Sequence, residues 1–523
     1  MGLRSVLVAA GLMLVLVPEV PAAEGTDDVT PQVTAATPSD LAWTSKANGV
    51  PAPIKPLKIE PVKGYVGDSF TVHADGLPAG KKVEFLWRTV EASFVTKVLS
   101  DNVEYHERKY DDKRVLLGTA AIDAQGRASA KFSAPEDFGE VHDIFAVVEG
   151  QDAARGGFRI LRSATMTPAE GVVGIPITIT VKGLGWQGFE QFMALRYDNK
   201  YSGEISAVTT KGTAVFQIRA AGGPGKHIIQ LNNSTAYAPG AYLNTQQSPQ
   251  AYIYSHIDNQ QEFRFVFNVT QDAGAPPDMQ EWPDGDRIAR LKHDAPRTTM
   301  TMASALSSGN KAVLNPSSGT VNSQTTLRAT GLPPNSEVGV HFVTARGNHM
   351  TPSGWNLDNV PLANLTTKAD GSLSASLTIP DDLGGWHGVK IVTRDQVLAE
   401  APFYVEQSLA TVTPKRVKVG EPFTIQIKGV GWTELDNTLA VSYDNAVLGY
   451  ACAFNSNGDI TINLVATGNP GTHLIDLYPA IYRGKDRVPW NYQTPFLTYA
   501  RDFPALAHGY RLPAYRLAIE IIE

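Results

Sequence analysis

The stretch TMTPAEGVVGIPITITVKGLGWQGFEQFMALRYDN at residues 165–199 occurs a second time in the same chain. Its copy, TVTPKRVKVGEPFTIQIKGVGWTELDNTLAVSYDN, lies at residues 411–445 and aligns with it without a gap. Of the 35 aligned positions, 16 are identical, far more than two unrelated segments share. The chain therefore contains an internal duplication, which is the first feature to look for in a long sequence.

The duplication extends upstream of this stretch. Residues 66–87 match residues 321–342, and residues 121–142 match residues 367–387 after a difference in length. A chain of 523 residues is too long for one hydrophobic core. The order of units is therefore A-B-A′-B′. The predicted boundaries are 57–161 for domain A, 162–270 for domain B, 271–309 for a linker, 310–406 for domain A′ and 407–523 for domain B′.

Inside each unit the apolar residues recur with a period of two. Residues 176–182 (PITITVK) and 422–428 (PFTIQIK) alternate apolar with polar side chains, and Gly and Pro bound these runs. Such alternation is typical of strands with one buried face. Because many such strands follow one another without helical periods, the sequence predicts an all-β protein of four tandem immunoglobulin-like β-sandwich domains.

The repeated residues also resemble a known kind of domain. The pattern of Thr-Pro, Val-Gly, Pro and Lys-Gly-x-Gly-Trp at residues 165–186 and 411–432 resembles the IPT/TIG type of immunoglobulin-like domain. Residues 76–142 and 331–387 resemble the related bacterial Ig-like repeats of exported and surface proteins. The resemblance implies the fold and a role as spacer, adhesive module or addition to an enzyme. It implies no catalytic residue.

A histidine recurs once in each unit, shortly after a Gly and at the start of an alternating strand. The four are His142, His227, His387 and His473. A lone histidine can be a metal ligand or a base, but a site needs different groups that converge on one point. These recur once per domain, so we expect buried, equivalent, well separated rings that bond a backbone carbonyl. Trp186 and Trp432 are the corresponding structural positions of the two B-type repeats.

The N-terminus has the features of a secretory signal. Arg4 precedes an apolar stretch at residues 5–17, and small residues at 20–23 suit cleavage. We expect a signal peptide at 1–23, a flexible leader at 24–56 and an exported protein that is periplasmic, at the cell surface or extracellular. No later run is long and apolar enough to predict a membrane span.

Charge and cysteine content exclude further classes. The net charge is −7 without a basic stripe, so we expect no nucleic-acid partner. Cys452 is the only cysteine, which forbids an intramolecular disulfide and favours a structural thiol. Asp284 and Asp286 around a glycine resemble part of a calcium loop, but its other ligands are absent. We therefore predict neither a metal nor a cofactor.

Two long segments precede the last strands of domains B and B′, at residues 232–262 and 478–508. Tyrosine and tryptophan on such segments are typical of recognition surfaces. The candidate binding residues are Tyr237, Tyr242, Tyr252, Tyr482, Trp490 and Tyr492. The alternative, which we favour, is that these aromatic side chains pack between neighbouring domains. A charged insertion at residues 90–115 is expected to be a solvated hairpin.

The sequence contains no catalytic motif that identifies a reaction. Three classes of function stay open. The first is a non-catalytic surface, matrix or envelope protein that acts through protein contacts or assembly, with a protein partner or self-association. The second is an accessory binding subunit for a glycan or an exported enzyme complex. The third is an enzyme with an unrecognised site, although we expect the chain not to be an enzyme.

Overall fold

The computed structural model describes residues 54–99, 103–186, 190–235, 238–241, 263–290, 311–347, 355–394, 396–453, 457–482 and 493–523. Within these ranges nearly all regular structure is β, and the strands form four sandwiches, each with a sheet of three strands facing a larger sheet. The prediction of four tandem immunoglobulin-like β-sandwich domains is confirmed.

Domain A forms the first sandwich. Its strands are β1 (Lys55–Pro56), β2 (Lys58–Glu60), β3 (Lys63–Gly64), β4 (Ser69–Ala74), β5 (Lys82–Val98), β6 (Val103–Ala121), β7 (Ala128–Ser133), β8 (Glu140–Val148) and β9 (Gln151–Ile160). The small sheet has the order β2-β4-β7, and the large sheet has the order β1-β9-β8-β5-β6, with β3 also paired to β9. Trp87, Phe85 and Phe158 fill the space between the sheets because they lie on the inward-facing positions.

Domain B forms the second sandwich. Its strands are β10 (Ser163–Thr167), β11 (Glu170–Gly171), β12 (Pro176–Lys182), β13 (Phe192–Tyr197), β14 (Lys200–Ser206), β15 (Ala214–Arg219), β16 (Gly225–Thr235), β17 (Ala238–Ala241) and β18 (Phe263–Val269). The small sheet is β10-β12-β15, and the large sheet is β11-β18-β16-β13-β14, with β17 paired to β16. The alternation predicted for residues 176–182 is present, since Ile177, Ile179 and Val181 are fully buried.

Domain A′ follows β19 (Met279–Glu281) and the short helix α1 (Gly285–Arg290). Its strands are β20 (Lys311–Asn315), β21 (Ser318–Thr320), β22 (Gln324–Thr330), β23 (Glu337–Gly347), β24 (Trp355–Thr366), β25 (Leu373–Thr378), β26 (Gly385–Val392) and β27 (Val397–Glu406). The sheets are β20-β22-β25 and β21-β27-β26-β23-β24, which repeats the topology of domain A.

Domain B′ forms the last sandwich. Its strands are β28 (Ser408–Thr413), β29 (Arg416–Lys418), β30 (Pro422–Lys428), β31 (Thr438–Tyr443), β32 (Ala446–Cys452), β33 (Ile460–Val465), β34 (Gly471–Ala480) and β35 (Ala514–Ile522), with a 3-10 helix at Pro504–His508. The small sheet is β28-β30-β33, and the large sheet is β19-β35-β34-β31-β32, with β29 also paired to β35.

The segment predicted as a linker is partly built into domain B′. Strand β29 pairs with β35 only at residues 520–522, and β19 pairs with the same strand at residues 514–516. An uncovered strand edge exposes unpaired backbone groups, and β19 covers the part of this edge that β29 leaves open. The segment also bonds through its side chains, since Asp272 accepts hydrogen bonds from the backbone N–H and hydroxyl of Thr472 at 2.7 Å.

The insertion at residues 90–115 is not the solvated hairpin that its charge suggested. It extends β5 and β6 beyond domain A, and its far half contacts domains B and B′. The backbone N–H of Tyr105 donates to Glu434 of domain B′ at 3.0 Å, and the guanidinium of Arg108 lies 3.5 Å from the ring centroid of Phe192 in domain B. Tyr105 is buried there, so the hairpin connects three domains.

Candidate functional site

Each of the four repeated histidines lies at the start of a strand in the larger sheet of its domain. In all four the Nε2 atom lies within hydrogen-bond distance, 2.7–2.9 Å, of the carbonyl oxygen of the residue four positions earlier. The accepting residues are Phe138, Gly223, Leu383 and Asn469. This bond ties the loop before the strand to the strand itself.

The other ring nitrogen has a backbone partner in domains A and A′. The Nδ1 atom of His142 lies 2.9 Å from the carbonyl oxygen of Arg88, and that of His387 lies 2.8 Å from the carbonyl oxygen of Val343. Each ring also stacks on an aromatic side chain of the neighbouring strand, β5 or β23, with centroids 4.3 and 4.4 Å apart. Burial lowers the pKa of His387, although the two carbonyls favour its protonated form.

In domains B and B′ that nitrogen has a carboxylate partner. The Nδ1 atom of His227 lies 2.6 Å from the carboxylate of Asp198, and the Nδ1 atom of His473 lies 2.6 Å from the carboxylate of Asp444. Asp198 and Asn199 adopt φ values of 49° and 63°, the left-handed conformation of a tight hairpin turn, and this turn brings the carboxylate to the ring. Burial opposes protonation of His473, but the carboxylate outweighs it and raises its pKa.

These aspartate partners are residues that sequence reasoning missed. Each is the middle residue of the repeated Tyr-Asp-Asn motif, and in each copy the histidine follows 29 residues later (227 − 198 and 473 − 444). The equal spacing of an acid and a histidine in both copies was the available signal.

The two repeated tryptophans contact histidines of the preceding domain. The ring of Trp186 lies 5.0 Å from that of His142, and the ring of Trp432 lies 5.7 Å from that of His387. Trp432 is fully buried, and Trp186 is half-buried. The tryptophans and two of the four histidines therefore meet at the A–B and A′–B′ junctions.

Two glycines bring the backbones together at these junctions. A Cβ at Gly139 would lie 1.9 Å from the carbonyl oxygen of Gly183, and one at Gly384 would lie 1.8 Å from that of Gly429. No side chain fits such an approach, so glycine is needed at both positions, and the same close contact recurs at both junctions.

The four histidines belong to four different sandwiches, and the described residues contain no group of three or more His, Cys, Asp or Glu that could hold a metal ion.

The candidate binding residues fall mostly outside the described part of the chain. Tyr237, Tyr242, Tyr252, Trp490 and Tyr492 lie in segments that the structure does not describe. Tyr482 is described and half-buried, and burial raises its pKa beside Cys452 and Tyr450.

The described part of the second long segment lies between domains. Tyr499 is buried there, as is Tyr510 just after the segment, and the hydroxyl of Tyr499 donates to the carbonyl of Glu281 at 3.1 Å. These aromatic side chains therefore pack between neighbouring domains, which is the alternative to a binding role.

Residues 494–502 of domain B′ cover the edge strand β14 of domain B. Their backbone pairs with Glu204, and the carboxylate of Asp502 accepts four hydrogen bonds at 2.8–2.9 Å. The donors are the hydroxyl of Ser206, the backbone N–H of Val208, and the backbone N–H and hydroxyl of Thr209. Asp502 is 1% exposed, so a buried carboxylate holds domain B against domain B′.

A second buried group joins the same two domains. Arg219, at the end of β15, reaches onto the large sheet of domain B′, where it donates to two backbone carbonyls and lies 2.8 Å from Asp476. Asp476 also lies 3.6 Å from Arg516, which pairs with Glu281 at 2.8 Å. Each buried charge in this network is thus close to an opposite one, as a buried ion pair requires.

The A′–B′ junction contains a buried carboxyl group whose pKa is raised. Asp436 is fully buried, and its Oδ1 accepts hydrogen bonds from the backbone N–H and hydroxyl of Thr433 at 2.8 and 2.7 Å. Its Oδ2 has no hydrogen-bond partner among the described residues and lies against Gly385 and Gly431. Burial raises the pKa of Asp436 to about 7, although Thr433 opposes this shift. Glu190 holds the equivalent position at the A–B junction and is also buried.

Raising the pH through neutrality is expected to destabilise the A′–B′ junction. The folded-state pKa of Asp436 lies above the ordinary value of 3.8, so the contribution of the neutral acid is complete below pH 3.8 and is lost as the pH rises through about 7. Asp436→Asn stays neutral at every pH. Between about pH 5 and pH 8 the wild type should lose a few kcal/mol in free energy of unfolding relative to this variant, as urea denaturation measures. Parallel pH profiles for the two proteins would contradict this assignment.

One edge of domain B′ exposes large apolar side chains. We call it the B′ edge: Val419 is 55% exposed, Leu448 54%, Tyr450 49% and Val465 50%. The equivalent residues of domain B, 246 positions earlier, are Val173, Ser202, Glu204 and Arg219, and we call them the B edge. All four are at most 5% exposed. In domain B this edge is a domain interface, whereas in domain B′ the four equivalent side chains are apolar and about half exposed, although β14 of domain B lies beside β32.

No family model and no curated protein matches this chain. Among solved structures, invasin, a bacterial integrin-binding protein, is 12% identical, with a TM-score of 0.19, over 88% of this chain and 78% of that one. The ICAM-5 D1-D4 ectodomain fragment is 10% identical, with a TM-score of 0.18, over 89% and 99%. Salmonella alpha-2-macroglobulin mutant Y1175G is 10% identical, with a TM-score of 0.17, over 88% of this chain and only 30% of its own length. At such TM-scores these likenesses carry no argument.

The described residues include no helix with the length and apolar character needed to cross a membrane.

Proposed function

We propose that this chain is an exported, non-catalytic protein of the cell surface, matrix or envelope that acts through protein contacts. Export rests on the signal sequence at residues 1–23, and the IPT/TIG resemblance and the domain boundaries are parts of the same proposal. The four histidines and two tryptophans have structural roles in it, because their described partners are backbone carbonyls, carboxylates of turns and neighbouring rings.

The observation that carries this proposal is the exposed B′ edge. Soluble proteins rarely leave neighbouring large apolar side chains in water unless the surface binds something. Leu448 and Tyr450 are both on strand β32, the last strand of the sheet, and their side chains stay about half exposed although β14 of domain B lies beside this strand. Their equivalents in domain B are buried in an interface, so this position of the fold already serves as a contact surface once in the chain.

A photo-crosslinking amino acid in place of Tyr450 tests the proposal in the cells that produce the protein. We expect light-dependent adducts of discrete mass that contain a second protein chain. The matched control carries the same amino acid in place of Val313, which is 58% exposed on strand β20 of domain A′ and outside the B′ edge. If position 450 gives no more adduct than position 313, the B′ edge is not a contact surface and the proposal fails.

A further inference from the structure

The interface between domains B and B′ joins two different surfaces of one fold. Domain B contributes its B edge, and domain B′ contributes the outer face of its large sheet. We call this surface the B′ face and define it by Asn445, Leu474, Asp476, Arg516 and Ala518. Asn445 donates to the carbonyl of Arg219 at 2.8 Å, and the other four residues are at most 3% exposed. An edge that packs on a face makes a heterologous contact, which leaves one copy of each surface unused.

The unused face belongs to domain B. The equivalent residues there are Asn199, Ile228, Gln230, Arg264 and Val266, which we call the B face; strand register matches β18 to β35, since Phe267 opposes His227 as Ile519 opposes His473. Val266 is 49% exposed where Ala518 is 1% exposed, and Arg264 is exposed where Arg516 is buried. A cavity of about 370 Å³ opens on this face, lined by four of these residues and Asp198. Most of the surface that receives Arg219 in domain B′ is therefore exposed in domain B, although Gln230 at its centre is 8% exposed.

The unused edge is the B′ edge, and its chemistry matches the open face. Within the chain, Arg219 of the edge meets Asp476 of the face. On the unused pair of surfaces, Val465 replaces the arginine and Gln230 replaces the aspartate. Either change alone would bury an unpaired charge, which is strongly unfavourable. Both changes together remove this ion pair from the contact, while Arg264 keeps its charge at the position of Arg516.

We propose that the B′ edge of one chain binds the B face of a second copy of this chain. The inference rests on the proposed contact function and names its partner. Because the contact is heterologous, it leaves a free edge and a free face at the two ends of any pair. Copies therefore add in series, as a filament or, where the rotation closes, a ring.

Sedimentation equilibrium of the full chain over a concentration series tests the proposal through charge. Val465→Arg places a charge opposite Gln230, and Gln230→Asp places one opposite Val465. Each single variant should weaken self-association at least about tenfold. The double variant recreates the pair found between Arg219 and Asp476, with Arg264 in the place of Arg516, and should restore association to within about threefold of the wild type. Unchanged thermal melting of each variant confirms that the domains stay folded.

Two results would overturn the inference. One is a wild-type chain that stays monomeric up to about 1 mM, a concentration at which even a weak contact is populated. The other is a double variant that associates no better than the two single variants. If the chain is monomeric but position 450 crosslinks to a different protein, the inference fails and the proposed contact function stands. If the chain is monomeric and position 450 gives no adduct, both fail.

Discussion

Replacing Asp476 with alanine is expected to lower the free energy of unfolding by about 3–5 kcal/mol, because it leaves buried arginine charge without its carboxylate. Arg219 is 5% exposed and lies 2.8 Å from Asp476, and Arg516 is 3% exposed. Arg516 keeps Glu281, but Arg219 keeps only backbone carbonyls. Guanidinium denaturation followed by fluorescence measures the loss, and domains B and B′ should no longer unfold in one transition.

The duplication supplies the control for this variant. Gln230 occupies the equivalent position of domain B, is 8% exposed and faces no charge of another described domain. Gln230→Ala should cost about 1 kcal/mol, because it removes a neutral side chain and leaves no buried charge without its partner. Equal losses for Asp476→Ala and Gln230→Ala would show that the ion pair does not hold the two domains together.

Asp502→Ala is expected to destabilise the chain by roughly 4–6 kcal/mol, since four donors lose their acceptor at once and each buried donor without a partner costs about 1–3 kcal/mol. Two of the donors are the backbone N–H groups of Val208 and Thr209, which lie beyond the end of strand β14 at Ser206. The opening should appear as faster amide hydrogen exchange at these two residues, together with an earlier denaturation midpoint.

Asp272 is the matched control for that carboxylate. It lies in the segment after domain B and also binds domain B′, through the backbone N–H and hydroxyl of Thr472, but it is exposed. Water replaces its bonds when they are lost, so Asp272→Ala should cost about 1 kcal/mol. Amide exchange at Val208 that is no faster in Asp502→Ala than in Asp272→Ala would contradict the role given to Asp502.

The fold could be predicted because its signals are local. Alternation in residues 176–182 and the 35-residue repeat depend on strand periodicity and on turn residues, and both are visible in the sequence. The histidines were found for the same reason, since each one recurs at one place in its strand. The interfaces were not predictable in this way, because they depend on how the sandwiches pack.

The hairpin at residues 90–115 illustrates the limit. Its many charges suggested a solvated surface, yet Tyr105 is buried against domain B′ and Arg108 covers an aromatic ring. Nothing in the local pattern distinguishes Arg219, which is buried in an interface, from an arginine in water. The comparison of equivalent positions does distinguish them, since Arg219 becomes Val465 where Asp476 becomes Gln230.

Crosslinking between copies tests most directly the claim that an edge of one chain binds a face of another. Lys418 lies beside the B′ edge and Lys226 beside the B face, and both are exposed. In the internal interface, the position of Lys418 corresponds to the residue before Val173, and the position of Lys226 corresponds to Thr472. The backbone N–H of Val173 donates to Gln271 and that of Thr472 donates to Asp272, the next residue, so these two positions lie close together. In a mixture of light and heavy-isotope chains, a lysine-reactive reagent should join Lys418 of one isotope to Lys226 of the other. Crosslinks that join these lysines only within one isotope, or none between them, would contradict the claim.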